Sequence, residues 1–361
     1  MLSRDFWIRR TPELRQTFRV TIAAAVAYAA YKLLGLQQGY WAVFTVLIVM
    51  QGSIGGTLGA ARDRMIGTLA GAVIGGLGAA LHSGTALGVG ITLAVATGIA
   101  ALGAAVYPQL RIAPVTVAIM LLSEPAGTPV EQFVVDRVIE IALGGLIGVL
   151  ATVLILPARS HGVVVARAIA VLERLRKLLL SEAEAIERGE PLQPSPDHPA
   201  LRQALTSVEQ AMNDADRERA SRLADHSIPP SIPRTLWRVR NDLVLIGRTL
   251  YEPLPAPIAA TLAPATARLL RAEADLVGRC AEALRTITTV ARQDMDAPYH
   301  DFTETFGRMR HDNVTRPLDF NAAGRVFGLA FTLENLHRDL ADLTDRIDEV
   351  VTGQPRAPKQ S

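Results

Sequence analysis

The sequence predicts an all-α membrane protein: six transmembrane helices arranged as a 3+3 inverted repeat, followed by a cytoplasmic helical bundle. Three observations carry this. Between positions 20 and 156 the only Lys or Arg residues are Lys32, Arg62, Arg64, Arg111 and Arg137, and the only acids are Asp63, Glu124, Glu131, Asp136 and Glu140. Arginine recurs in every second loop of that window. The window also matches itself at an offset of 71 positions.

The 49% apolar content of the 361 residues averages an apolar first half with a charged second half. A formal net charge of +2, with the arginines of the second half interleaved with acids, gives no basis for binding nucleic acid. Cys280 is the sole cysteine, so no intrachain disulfide forms and a reducing compartment suits the second half.

Six apolar stretches are read at 20–36, 40–58, 65–81, 86–106, 112–122 and 133–156. A crossing takes about 20 residues, so the fifth is short. Arg4, Arg9, Arg10, Arg15 and Arg19 precede the first stretch, Arg62 and Arg64 join the second to the third, Arg111 joins the fourth to the fifth, and Arg159 and Arg167 follow the sixth. The loops at 37–39, 82–85 and 123–132 contain no Lys or Arg. The positive-inside bias then predicts a multi-pass membrane protein with both termini cytoplasmic, Tyr40 and Trp41 lying at the outer interface. The expected division is a basic N-terminus (1–19), the membrane domain (20–157), the helical domain (158–352) and a disordered tail (353–361).

The repeat pairs Thr21, Ala23, Ala25, Ala29 and Ala30 with Thr92, Ala94, Ala96, Ala100 and Ala101. Ala42, Thr45, Val46, Ile48, Gly56 and Thr57 then fall on Ala113, Thr116, Val117, Ile119, Gly127 and Thr128. After a two-residue insertion, Asp63-Arg64-Met65-Ile66 aligns with Asp136-Arg137-Val138-Ile139, and Gly71, Ile74 and Gly75 with Gly144, Ile147 and Gly148. Three helices per copy is an odd number, so the copies oppose each other across the bilayer, as in many transporters. The second and fifth helices are interrupted at matching places, by Gly52, Gly55 and Gly56 and by Pro125 and Gly127. Such breaks either point to a transport site or simply make turns. Gly67, Gly71 and Gly75, and Gly144 and Gly148, are spaced for close helix packing.

Tyr40-Trp41-Ala42-Val43, Val49-Met50-Gln51-Gly52-Ser53 and the run from Arg64 to Gly71 together resemble the fusaric acid resistance and aromatic acid exporter family, which in turn resembles the plant aluminium-activated malate channels. The resemblance covers the membrane domain; the second half is similar only in style. Gly52 departs from the proline usual after the glutamine. The resemblance implies export of organic anions, commonly aromatic carboxylates. Because many members carry two six-helix units in one chain, the single unit here implies a homodimer.

In the second half, apolar stripes run through Val165, Leu172 and Leu179, through Leu201, Leu205 and Val208, through Leu236, Leu243 and Leu250, and through Leu269, Leu276 and Leu284. An irregular polar stretch is expected at 294–319. Leu329, Leu333, Leu336, Leu340, Leu343, Ile347 and Val350 follow four-three spacing, which suits a bundle core or a contact between subunits.

Ionisable groups within spans are candidate functional groups because burying them is costly. Arg64 and Arg137, paired by the repeat, are read as cationic rings near opposite mouths of an anion pathway, and the plant channels, whose third and sixth helices supply pore arginines, support this. Arg64 equally satisfies the positive-inside bias, and Arg137 equally pairs with Asp136 or Glu140. Glu140 is a candidate for proton coupling or for charge pairing with Arg137. Thr45 and Thr116 are candidate hydrogen-bond donors in the pathway, although membrane threonines usually bond their own helix. His300 and His311 match no metal signature, and no metal or cofactor is expected. No nucleophile elbow, phosphate loop or zinc-protease motif is present, so the chain is not read as an enzyme. The expected partners are small organic anions, the lipid bilayer and a second copy of the chain. The alternative is a non-transporting anchor whose helical domain binds a cytoplasmic partner.

Overall fold

The computed structural model describes residues 11–81, 84–123, 129–157, 159–192, 197–221, 223, 231–292 and 296–352. Arg4, Arg9, Arg10, the Pro125 to Gly127 break and the 353–361 tail lie outside the described residues. The described residues form twelve α-helices and no strand, in two compact units: residues 1–160 with 213–225, and residues 161–212 with 226–361.

The first unit is a membrane protein. Its helices are α1 (Thr11–Leu33), α2 (Tyr40–Val49), α3 (Ile54–Leu81), α4 (Ala86–Val106), α5 (Ala113–Leu122) and α6 (Val130–Leu154), with a 3-10 turn at Pro108–Leu110 before α5. By length and composition α3, α4 and α6 can each cross a membrane. The 10-residue α2 and α5 extend only about 15 Å, half of a bilayer core of about 30 Å. Val73, Leu77, Ile91, Val95, Ile99, Leu102 and Leu146 all stand exposed. An apolar surface of that kind belongs against lipid.

Small residues set the packing. A Cβ placed on Gly71 of α3 would lie 2.6 Å from both the Ala113 carbonyl oxygen and the Thr116 Cβ of α5. A Cβ on Gly144 of α6 would lie 2.4 Å from the Ala42 carbonyl oxygen and 2.7 Å from the Thr45 Cβ of α2. One turn on, Gly75 meets Met120 and Gly148 meets Val49. Gly71 and Gly75 thus seat α5 on α3, Gly144 and Gly148 seat α2 on α6, and α2 runs parallel to α6 as α5 runs parallel to α3. Between α3 and α6, Gly145 faces Ala61 and Gly76 faces Val134, so these two are antiparallel.

One boundary differs from the sequence expectation. Arg62 and Arg64 do not lie in a turn; they lie within α3, which starts at Ile54 rather than near position 65. The cause is the Ser53 cap: its Oγ accepts from the Gly56 amide, its carbonyl accepts from the Thr57 hydroxyl, and that hydroxyl accepts from the Gln51 amide. The turn is further held by residues 214–218 of the same unit. Ser53 Oγ donates to Asp214, Gly55 packs against the Asp214 carbonyl with no room for a Cβ, and Ser160, whose hydroxyl accepts from the Gly55 amide, donates its own amide to Glu218.

The second unit is built from α7 (Ser160–Arg188), α8 (Asp197–Ala220), α9 (Ser231–Thr249), α10 (Ala256–Thr286), α11 (Asp296–His311) and α12 (Phe320–Thr352), the end of α8 belonging to the first unit. Leu329, Leu333, Leu336, Leu340, Leu343 and Ile347 are all buried within it, so the four-three seam packs against the chain's own helices. The stretch expected to be irregular contains α11, whose buried Phe302, Thr305 and Met309 stand three and four apart, a stripe diluted by the charged residues around it.

Candidate functional site

The membrane unit encloses a cluster of charged and polar side chains. Phe133, Arg137 and Glu140 lie on one face of the first turns of α6, since residues three and four apart share a face. Opposite them, the α1–α2 turn supplies Gln38 and the first turn of α2 supplies Trp41. Arg137 Nη2 donates to Gln38 Oε1 at 2.8 Å. Its guanidinium lies 4.5 Å from the Trp41 ring centroid and 5.4 Å from that of Phe133, cation–π distances that hold the charge between two rings. Glu140 Oε2 is 3.7 Å from Arg137 Nη1, an ion pair too long for a hydrogen bond, and both residues are 1% exposed.

Arg64 faces inward from α3 and is 4% exposed. Among the described residues no carboxylate, carbonyl or side-chain oxygen accepts from it, and its Nε is fully enclosed. It lies near enough to Arg137 to feel repulsion from it. The antiparallel register of α3 and α6 sets the two arginines roughly 10 Å apart along the axis at 1.5 Å per residue.

The sequence-nominated threonines divide. Thr116 Oγ1 donates to the Ile112 carbonyl of its own helix at 3.3 Å, the ordinary fate of a membrane threonine. Thr45 Oγ1 is buried with no partner. Thr68, one turn beyond Arg64, is also buried with its hydroxyl unmatched, as are Arg137 Nε and Nη1 and the Trp41 indole N–H. Sequence reasoning missed Gln38, Trp41 as a site residue, Thr68 and Arg19. Arg19, expected in the basic flank, is 2% exposed, with Nη2 donating to Gln16 at 2.6 Å and Nε and Nη1 unmatched. The signal for Arg19 is spacing, since it stands four and eight residues before Ala23 and Ala27, which pack in the core.

Buried polar groups in native structures are almost all satisfied, and an unpaired buried charge costs far more than an unpaired hydroxyl. Here the unmatched groups are guanidinium and indole N–H donors together with hydroxyls, gathered on facing helices. What they lack in common is an acceptor. An anion, above all a carboxylate with two acceptor oxygens matched to the guanidinium fork, supplies it.

Comparison with known proteins agrees with the sequence resemblance. Residues 24–151 match the family described as fusaric acid resistance protein-like. A relative in Escherichia coli (strain K12), the uncharacterised protein YhfK, is 28% identical over 221 residues, 58% of this chain and 30% of that protein. The chain thus spans less than a third of that relative's length.

Proposed function

We propose that this chain, fusaric acid resistance protein-like over its membrane region, is a transporter or channel that moves organic carboxylate anions outward across the cell inner membrane. The observation that carries the proposal is the two buried arginines: nothing among the described residues accepts from Arg64, and Arg137 Nε and Nη1 lack a hydrogen-bond acceptor. Trp41 and Phe133 beside Arg137 offer π faces on which an aromatic carboxylate would stack, which supports aromatic acids as the cargo. Thr45 and Thr68 are further donors, Thr116 a packing residue, and Glu140 the counterion of Arg137.

In this reading the six helices form a 3+3 inverted repeat. The reciprocal seating of α2 on α6 and α5 on α3, through Gly144 and Gly71, supports it. The half-length α2 and α5 occupy matching places, and broken helices at a repeat interface are where transporters bind their cargo. Both termini are cytoplasmic, the second unit is a cytoplasmic bundle, and the working form is a homodimer.

Flux of labelled benzoate from vesicles reconstituted with the full chain tests the function. Arg64→Gln and Arg137→Gln should each cut flux about tenfold or more, because an attraction of one to a few kcal/mol is lost in a partly desolvated site. Arg64→Lys should be milder, keeping the charge and losing the fork. Wild-type flux in both glutamine variants would remove the site; no flux in the wild type would leave the anchor reading in its place.

A further inference from the structure

The two repeats differ in one charge. Asp63 and Asp136 precede Arg64 and Arg137 alike and stay exposed or half-exposed at the helix surface. One turn after the arginines the likeness ends: Glu140 stands where the first repeat has Gly67. A matching carboxylate in the first repeat would be crowded, since a Cβ on Gly67 would already lie 3.2 Å from the Gln109 carbonyl oxygen and 3.2 Å from the Ile112 Cβ. Gln38, which faces Glu140 in the second repeat, occupies the same repeat position as Gln109. Glu140 is sealed from solvent beside Arg137, while Arg64 has no counterion among the described residues.

We infer that Glu140 sets the valence of the cargo: Arg64, Arg137 and Glu140 together leave a single positive charge, which a monoanion completes and a dianion exceeds. The inference rests on the anion-transport reading and adds to it a specificity-determining residue. A monocarboxylate entering beside Arg64 brings the enclosed charge to zero. A dicarboxylate leaves a net negative charge out of water, which a low-dielectric site does not tolerate. Without the Glu140 charge the same two arginines balance a dianion.

The test compares benzoate with phthalate, an aromatic monoanion and dianion of one scaffold, in vesicles carrying the full chain, at a pH where both are fully ionised. The wild type should carry benzoate at least about tenfold faster than phthalate. Glu140→Gln should lower that ratio about tenfold or reverse it, and Glu140→Asp, which keeps the charge, should retain it. A wild type that carries both equally, or an unchanged ratio in Glu140→Gln, overturns the inference and leaves the transport reading standing. Absence of flux for either anion in every protein overturns the transport reading itself. Should the glutamine variant fail to insert, the wild-type ratio with that of Glu140→Asp decides.

Discussion

The buried arginines of the first unit differ from the ion-paired arginines of the second. In the second unit Arg268 meets Asp301 at 2.6 Å, Arg292 meets Asp345 and Asp348 at 2.6 and 2.7 Å, and Arg346 meets Glu349 at 2.7 Å, in pairs that reach solvent. In the first unit Arg19, Arg64 and Arg137 are buried and keep unmatched N–H groups. The core material differs as well. The second unit packs leucine on leucine, whereas the first seats backbone on backbone through glycine. In lipid there is no hydrophobic drive to bring helices together, so close contact must come from small residues. A unit that gains so little from burial can keep unpaired charge only if its use compensates the cost.

The largest expected effect would break the packing side of that comparison. Gly144→Leu places a side chain where a Cβ alone would overlap the Ala42 carbonyl, a contact with backbone that cannot move aside. The variant should yield no monodisperse protein in detergent, whereas Gly145→Ala, whose Cβ would meet only the Ala61 methyl group at 3.9 Å, should behave as wild type. In the second unit Leu336→Ala should still fold, losing about 2–5 kcal/mol to a cavity. A folded Gly144→Leu protein would show that α2 and α6 do not pack as described.

Next in size is a split between stability and flux at the arginines. Arg64→Gln removes a buried charge that has no partner, so its thermal midpoint should rise while benzoate flux falls. Arg137→Gln strands Glu140 beside two rings, so midpoint and flux should fall together, and Arg137→Gln with Glu140→Gln should regain the midpoint. Equal loss of midpoint in both single variants would mean that Arg64 has a partner in the working protein.

These residues also show how far the sequence could be read. The helices and the lipid-facing surface follow from periodicity and charge sparsity, both of them local or one-dimensional signals. The α2–α3 boundary does not, because Gly52 and Ser53 mark a turn without saying that a helix starts just after it; the capping bonds decide that. Nor does the convergence of Gln38 and Trp41, around the start of α2, with Arg137 of α6, which meet only when α2 seats on Gly144. The buried state of Arg19 is visible in its spacing but outweighed by its position among flanking arginines.

Topology gives a smaller, all-or-none test. Ala86 starts α4 on the side predicted to be external, and Gln109 lies before α5 on the side predicted to be cytoplasmic; both are exposed. In intact cells a membrane-impermeant maleimide should label a cysteine at Ala86 and spare one at Gln109. Cys280 should stay silent without replacement, because burial pushes its thiol up to about 12. Labelling at Gln109 with none at Ala86 would invert the orientation and with it the direction of export.

The smallest effect belongs to the second unit, where one acid behaves more as the membrane unit's arginines do. Asp242 of α9 is 7% exposed, and burial first, then the negative charge of Asp339 on α12, push its carboxyl up to about 7 against the pull of Arg238 and Arg338. The folded chain therefore holds that proton more tightly than the unfolded chain, whose carboxyl titrates near about 3.9. The sign follows from linkage: this group favours folding below about pH 4, and its contribution is lost progressively as pH rises to about 7. A tenfold change in proton affinity is worth about 1.4 kcal/mol, and partial hydration of the site holds the whole contribution to roughly 2 kcal/mol. Asp242→Asn, neutral throughout, should gain thermal stability relative to wild type as pH climbs from about 5 to about 8 and match it near about pH 4.5. A difference between the two proteins that stays constant over that range would show that Arg238 and Arg338 keep Asp242 ionised in the folded bundle, so that its charge, unlike that of Arg64, is held by partners.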